Sequence, residues 1–261
     1  MNNILAFVSI KGGVGKTTLA LETASALANK LDKRVLLVDA NFSAPNIGLY
    51  LDLTNKITLH DCLNGTLLHN AIYEAYGIDI IPADLNFNDK YDPYKLSKIL
   101  NKYKTRYDFI ILDSSPNYEE LKPVIAAADK IFLITSPDNV TLTTTLKAAK
   151  IAREQNTPIE GIIVNRIRSP KHEYNIHEIE SISDIPVMAK IYDHKKMARA
   201  LHEKIPITIL DSNNSISREI ENFARALAGS PEKQGFLSRF LPFQDIINQE
   251  KVNREFYRSQ L

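Results

Sequence analysis

The chain has 261 residues, of which 44% are hydrophobic and 24% charged, and its formal net charge at pH 7 is +1. This composition is typical of a soluble globular protein with one large α/β domain, and the small charge excludes a global attraction to DNA or to an anionic membrane. Cys62 is the only cysteine, which excludes an intramolecular disulfide and a cysteine-rich metal site. Its apolar neighbours predict a small core residue.

The amino-terminal end enters an apolar run directly after Asn3, which leaves no room for a signal peptide. No apolar run approaches the length of a membrane span. We therefore expect a cytoplasmic protein.

The first motif, KGGVGKTT at residues 11–18, lies between a predicted strand at 4–10 and a predicted helix at 19–30. Glycines allow backbone N–H groups to approach phosphate oxygens closely, and the helix adds the positive end of its dipole. The sequence thus predicts a phosphate-binding loop. Its members are Gly12, Gly13, Val14, Gly15, Lys16, Thr17 and Thr18.

Three side chains of this loop have distinct chemistry. Lys16 supplies a positive charge for the β and γ phosphates, and the Thr17 hydroxyl suits Mg²⁺, which prefers oxygen ligands. Lys11 has little obvious use within one protomer, because Lys16 already serves the phosphates. Ile10 occupies the position where the common phosphate-loop pattern begins with glycine.

A second apolar run, residues 34–39, ends in Asp39 and leads into a turn-rich segment at 40–53. Acidic residues at the carboxyl ends of parallel strands face the crevice where ligands bind. We therefore predict a switch loop beside the γ phosphate. A similar apolar run ends in Asp113, which predicts a buried strand that delivers a carboxylate to the outer shell of a metal.

The remaining elements alternate between strands and helices, which predicts an α/β fold with a doubly wound, mostly parallel sheet flanked by helices. Strands are predicted at 77–83, 130–136, 159–166 and 187–192, and helices at 93–104, 139–155, 195–202 and 215–228. Threonines at 141 and 143–145 are either caps and interface hydroxyls or a solvated helix start. The histidines at 172, 177, 194 and 202 lack metal-ligand spacing and are interpreted as surface residues.

The loop resembles the deviant Walker A motif, KGGxGK[ST], of the MinD/ParA family of P-loop ATPases. The segment VDANFSAPNIGLYLDL resembles the second signature of that family, and YDFIILDSSP resembles a Walker B motif. The resemblance covers residues 1–229, which we take as one ATPase domain. DANFSAPN, together with the tail, is most similar to archaeal-type MinD proteins.

The resemblance implies an ATPase that binds ATP and Mg²⁺ and forms an ATP-dependent homodimer, in which Lys11 reaches the phosphates of the second subunit. It implies Thr17, Asp39 and Asp113 at the metal, and Thr18 near the α phosphate. The Asn165–Arg166 pair resembles the adenine-reading element of the family, and an asparagine amide matches the adenine edge. The loop at 192–194 could cover the base.

Asn41 departs from the family, which has a second acid at this position to place the attacking water. An asparagine can orient a water through its carbonyl oxygen but has no charge to favour proton loss. We therefore expect slow hydrolysis. One hypothesis is a spatial-positioning switch that responds to an activating protein partner; the alternatives are a nucleotide-stabilised scaffold with negligible turnover and a ParA-like DNA-segregation ATPase, with DNA the less favoured partner.

The tail at 230–261 follows a Gly-Ser-Pro break and repeats phenylalanine at helical spacing, at Phe236, Phe240 and Phe243. Three interpretations remain open: a peripheral membrane contact, packing on this domain or another protomer, and a helix that binds a partner protein. Five basic and four acidic residues give the tail little attraction to anionic lipids. Dimerisation would present two tails together and strengthen membrane binding.

Overall fold

A computed structural model describes residues 3–54, 56–87, 90–168 and 172–229. Within these ranges the strands are β1 (Ile4–Val8), β2 (Val35–Ala40), β3 (Tyr73–Ala75), β4 (Ile78–Ile81), β5 (Phe109–Ser114), β6 (Lys130–Thr135), β7 (Ile159–Ile167) and β8 (Val187–Tyr192). They form one sheet in the order β3-β4-β2-β5-β1-β6-β7-β8. All neighbouring strands are parallel except β3 and β4. The predicted doubly wound, mostly parallel sheet is confirmed.

Helices cover both faces of the sheet. In the described ranges they are α1 (Lys16–Leu31), α2 (Ile47–Tyr50), α3 (Leu59–Leu63), α4 (Lys95–Asn101), α5 (Tyr118–Ala127), α6 (Asn139–Glu154), α7 (Ile176–Ser183), α8 (Lys195–Glu203), α9 (Ile207–Leu210) and α10 (Ser215–Leu227), with a 3₁₀ helix at Leu68–Ala71. None of these helices is long and apolar enough to cross a membrane.

The inner strands β1, β2, β5 and β6 are buried on both faces, so their alternate side chains enter two separate cores. Ile4 and Val8 of β1 belong to the core covered by α4, α5 and α6, whereas Phe7 points into the core covered by α1 and α10. In that second core the Phe7 ring packs edge-on against Phe223 and tilted against Phe132, with centroid distances of 6.4 and 5.9 Å. The central strand β1 is therefore fixed from both sides, directly before the glycine-rich loop.

Most predicted elements are present with shifted ends. The strand predicted at 4–10 ends at Val8, because the chain turns into the loop there, and the helix predicted at 19–30 already begins at Lys16. The helix predicted at 93–104 is limited to Lys95–Asn101. Cys62 is 3% exposed and lies in the core, as predicted. The four histidines named above are exposed, also as predicted.

Two longer helices, α5 and α7, lie in segments where the sequence pattern predicts no element, as do the short helices α3 and α9 and the strand β3. Pro123 lies inside α5 and cannot donate a helical hydrogen bond, yet the helix continues to Ala127. The Asn117 cap, whose side chain accepts from the backbone N–H of Glu119, stabilises its start. The start of α7 carries a capping box of Asn175 and Glu178, a signal readable in the sequence.

A buried carboxyl group joins α1 to the carboxyl-terminal part of the domain. Glu22 is 2% exposed and accepts hydrogen bonds from the backbone N–H groups of Ile207 at 2.7 Å and Thr208 at 3.2 Å. The Thr208 hydroxyl donates at 3.1 Å. Burial raises the pKa of Glu22 to about 7, although these hydrogen bonds act in the opposite direction.

The Glu22→Gln variant tests whether the pKa of Glu22 is raised in the folded protein. Because the folded state binds the proton of Glu22 more tightly than the unfolded state, the free energy of unfolding of the wild type should fall as pH rises from 4.5 to about 7. The variant lacks this titration, so the difference between the two proteins should change by up to about 1.4 kcal/mol per pH unit. Urea unfolding of both proteins at about pH 5 and about pH 8 measures how this difference in unfolding free energy changes with pH. Parallel pH profiles would contradict the assignment.

Candidate functional site

The loop between β1 and α1 forms a cradle of backbone N–H groups. Gly13 and Gly15 have φ angles of +76° and +97°, a region that favours glycine. Gly15 is the N-cap of α1, and no side chain caps this helix start. The first N–H groups of α1 therefore remain available to an anion, with the positive end of the helix dipole behind them.

Two lysines flank the cradle and differ in their surroundings. Lys16 is 6% exposed, and its Nζ donates to the backbone carbonyl of Lys11 at 3.3 Å. Burial lowers the pKa of Lys16, while the nearby Asp113 carboxylate acts in the opposite direction. A negatively charged ligand in the cradle would offset this desolvation. The Lys11 residue is exposed at the mouth of the loop.

Oxygen ligands converge beside the start of α1. The Thr17 hydroxyl donates to Asp113 Oδ2 at 2.6 Å, and Asp39 lies opposite Asp113 in the register of β2 and β5. Both carboxyl groups are fully buried, and burial raises the pKa of each, while the Asp113 charge also raises the pKa of Asp39. Among the described residues Asp113 Oδ1 has no hydrogen-bond partner. Hydroxyl and carboxylate oxygens fit a hard divalent cation such as Mg²⁺.

Asp39 also holds the segment that follows it. Its Oδ2 accepts from the backbone N–H groups of Asn46 and Ile47, each at 2.9 Å, and its Oδ1 accepts from Asn41 at 3.2 Å. The Asp39 carboxylate thus holds residues 41–47 in place through three backbone hydrogen bonds. This loop-binding role is not visible in the sequence, where Asp39 is predicted only as a metal residue.

Asn41 is buried in this loop, and a hydrogen bond fixes the orientation of its side-chain amide. The Asn41 Nδ2 group donates to the carbonyl of Ala44, whereas its Oδ1 is buried without a partner among the described residues. The backbone N–H of Ser43 donates to Glu120 Oε2 at 3.2 Å, which joins the loop to α5. The unpartnered Asn41 Oδ1 therefore lies in a loop that Asp39 holds at both ends and Glu120 holds in the middle.

Asn165 contacts the phosphate loop directly. Its Nδ2 donates to the carbonyl of Val14 at 2.7 Å, and a Cβ atom at Gly15 would lie 2.3 Å from the same nitrogen. The next residue, Arg166, is exposed with φ of +57°, at an irregularity in the register of β7 and β8. Strained backbone of this kind occurs often at functional sites. Asn165 thus lies beside the loop, and within the described ranges its amide makes no second hydrogen bond, which leaves Oδ1 and one N–H for a ligand.

The threonines at the start of α6 bond to its own backbone. The hydroxyls of Thr143 and Thr145 donate to carbonyls four residues earlier, at 2.8 and 2.9 Å. The cap of α6 is Asp138, which accepts from the backbone N–H of Thr141 at 2.9 Å. Neither Thr143 nor Thr145 is the cap. Residues 192–194 are exposed, and the His194 side chain caps α8.

A glycine-rich loop between a central strand and a helix, with carboxylates at the ends of two neighbouring strands, defines a P-loop nucleotide-binding protein. The family model of the CobQ/CobB/MinD/ParA nucleotide binding domain matches residues 5–207. The chain belongs to this family. The resemblance to MinD/ParA P-loop ATPases is therefore confirmed.

Known proteins of similar sequence and structure agree with this assignment. An uncharacterised ATP-binding protein of Methanocaldococcus jannaschii is 29% identical over 91% of this chain and 94% of its own. The septum site-determining protein MinD of Pyrococcus horikoshii, solved with Mg-ADP, is 27% identical with a TM-score of 0.82, covering 87% of this chain and 96% of that one. MinD from the MinC:MinD complex of Aquifex aeolicus is 26% identical with a TM-score of 0.79, covering 89% and 98%.

Replacement of Gly15 by alanine tests the geometry of the cradle without a ligand. The left-handed φ of Gly15 and the close approach of Asn165 both oppose a Cβ atom, so the Gly15→Ala variant should lose about 1–3 kcal/mol of unfolding free energy. Gly12→Ala is the matched control, because a Cβ at Gly12 meets no atom within 4 Å. Its change should stay within about 0.5 kcal/mol. Thermal unfolding of both variants measures the difference, and equal losses would contradict the geometry.

Proposed function

We propose that this protein is an ATPase that binds ATP with Mg²⁺, dimerises across the nucleotide and acts as a spatial-positioning switch with slow hydrolysis. The observation that carries the proposal is the contact of Thr17 with Asp113 directly beside an uncapped helix start. It brings a phosphate cradle and a set of metal-binding oxygens together at one end of the central strands. The family supports nucleotide binding in general, and these contacts favour a nucleotide phosphate bound together with a metal.

The proposed binding assigns one task to each residue. Residues 12–18 would hold the phosphates through backbone N–H groups, Lys16 would neutralise their charge, and Thr17 with Asp113 would hold Mg²⁺. Asp39 would join the outer shell of the metal. When bound, Mg²⁺ supplies a positive charge that stabilises the charge developing on the transferred phosphate. The magnesium nucleotide in the Pyrococcus horikoshii structure supports this choice of ligand.

The hydrolytic step would depend on Asn41. Its buried Oδ1 has no described partner, while its Nδ2 is committed to Ala44, so the acceptor is the group available to orient a water. An amide does not take a proton from water as a carboxylate does, and this difference supports slow turnover. Partner-dependent stimulation would then set the lifetime of the ATP-bound state.

Base recognition and dimerisation involve three further residues. Asn165 would read adenine with the amide groups left after its bond to Val14, and Arg166 would line the same side. Lys11 is exposed at the loop mouth and would reach the phosphates of a second copy of this chain. A contact made only in the ATP-bound dimer supplies the free-energy difference that a switch requires.

The relatives support the proposed cellular role. The MinD proteins of Pyrococcus horikoshii and Aquifex aeolicus are named for septum-site determination and cell division, and the latter is in complex with MinC. We extend these roles to this chain as placement of a division site or a related structure, with an activating protein partner. The tail at 230–261 lies outside the described residues; as a membrane contact it would bring the dimer to the membrane surface, and packing on a protomer or binding to a partner protein are the other two roles proposed for it.

Two other functions remain as alternatives. A nucleotide-stabilised scaffold is favoured by the missing acid at position 41. A ParA-like DNA-segregation ATPase would show ATP-dependent DNA binding that weakens with salt. Liposome sedimentation that is lost when residues 236–261 are deleted would favour the membrane form instead.

ATP-dependent dimerisation is the direct test of the switch. Size exclusion with light scattering should show a dimer of wild type with ATP and Mg²⁺, and a monomer for Lys11→Ala under the same conditions. Lys98→Ala changes an exposed lysine of α4 and should dimerise like wild type. A wild type that stays monomeric with ATP would contradict the proposal.

The role of position 41 is tested by phosphate release. Asn41→Asp places one carboxylate oxygen where the free amide oxygen lies, although it loses the hydrogen bond to Ala44. It should raise turnover by at least about tenfold, because a general base contributes more than an amide. Asn41→Ala should lower turnover below wild type. If wild type shows no turnover even with membranes and partner candidates, and Asn41→Asp restores it, the scaffold function is supported.

A further inference from the structure

The side chain of Glu120, in the first turn of α5, reaches across to the switch loop. Its Oε2 accepts a hydrogen bond from the backbone N–H of Ser43 at 3.2 Å. Ser43 lies inside the short turn that begins at Asn41 and ends at Ala44, where the Asn41 Nδ2 group donates to the Ala44 carbonyl. The contact with Glu120 therefore falls on the turn that sets the orientation of the Asn41 amide.

The start of α5 gives this contact a fixed base. Ser115 is fully buried directly after β5, and its Oγ accepts from the backbone N–H of Asn117 at 3.0 Å. The Asn117 side chain in turn accepts from the backbone N–H of Glu119 at 2.9 Å. These two hydrogen bonds hold the first turn of α5 against the end of β5, the strand that carries Asp113.

The helix itself does not need the Glu120 side chain for its cap. An acid at the third position of a helix commonly accepts from the backbone N–H of the capping residue. Here that N–H belongs to Asn117 and is already bonded to Ser115. The neighbouring Glu119 has a side chain that is 75% exposed and pairs with Lys122 of the same helix at 3.0 Å. Of these two acids, Glu120 is the one directed toward the switch loop.

We propose that Glu120 is a positioning residue for hydrolysis, which holds the switch loop so that the Asn41 Oδ1 keeps its place. This buried oxygen has no hydrogen-bond partner within the described part of the chain, so it can accept from a water. Asp39 binds backbone N–H groups at the two ends of the loop, and Glu120 binds one between them. The inference rests on the proposed ATPase function and adds a residue outside the motifs of the sequence.

Kinetic variants in the first turn of α5 test this role. Glu120→Ala should lower kcat for ATP hydrolysis about three- to tenfold and leave KM within about twofold, because a displaced positioning group reduces the rate more than binding. Glu120→Gln keeps an acceptor oxygen and should retain most of the wild-type kcat. Glu119→Ala is the matched control, since it removes an acid from the same turn and should behave as wild type. A wild-type kcat in Glu120→Ala, or an equal fall in either of the other variants, would overturn the proposal.

A double variant tests whether Glu120 acts through Asn41. If it does, Glu120→Ala should change kcat by less than about twofold in the Asn41→Ala background, because the group that it positions is already absent. Single-turnover phosphate release measures the hydrolytic step in all four proteins. A loss as large as in the wild-type background would show that Glu120 acts independently of Asn41, against the proposal.

Amide hydrogen exchange at Ser43, followed by NMR, tests the contact without hydrolysis. The Ser43 N–H should exchange at least about threefold faster in Glu120→Ala than in wild type, and at nearly the wild-type rate in Glu120→Gln and Glu119→Ala. A wild type without ATP turnover would defeat the proposed function and the kinetic role, whereas the exchange rates would still decide the contact. Unchanged exchange in Glu120→Ala would overturn the contact even in an active enzyme.

Discussion

Two carboxyl groups buried side by side at the ends of β2 and β5 are the constraint on which the site depends. Two ionised groups in such a place repel each other and lack hydration, so each must be matched by donors or by a cation. Asp113 receives the Thr17 hydroxyl, and Asp39 receives three backbone N–H groups. The phosphate loop and the switch loop are thus arranged around the same pair. The proposed phosphate and metal sites are adjacent because the sheet brings both strand ends to the start of α1.

The fold was largely predictable from sequence because its strands are continuous apolar runs and its main helices have clear spacing. The phosphate loop was equally predictable, because glycines, a lysine and a threonine at this fixed spacing are typical of phosphate binding. Element ends were less predictable, as for Lys16, where α1 begins inside the motif. The irregular α5 was missed because Pro123 argues against a helix, and tertiary packing overrides that local preference.

The contacts between loops could not be read from sequence. Ser43 and Glu120 are 77 residues apart, and Asn165 and Val14 are 151 residues apart, so neither pair forms a local pattern. Asn41 shows the same limit: its residue type indicated weak catalysis, but only the structure shows which amide atom is free. Sequence therefore indicates the chemistry of a group, whereas its orientation depends on partners brought together by the sheet.

The bond between Asn165 and Val14 has a consequence for the choice of purine. An asparagine amide that is free to rotate can present its donor and its acceptor in either order, and so can pair with adenine or guanine. Commitment of one Nδ2 hydrogen to the phosphate loop fixes that order, because a reversed amide would face the Val14 carbonyl with its own oxygen. If Asn165 reads the base as proposed, selectivity for adenine over guanine is set by the backbone that holds the phosphates.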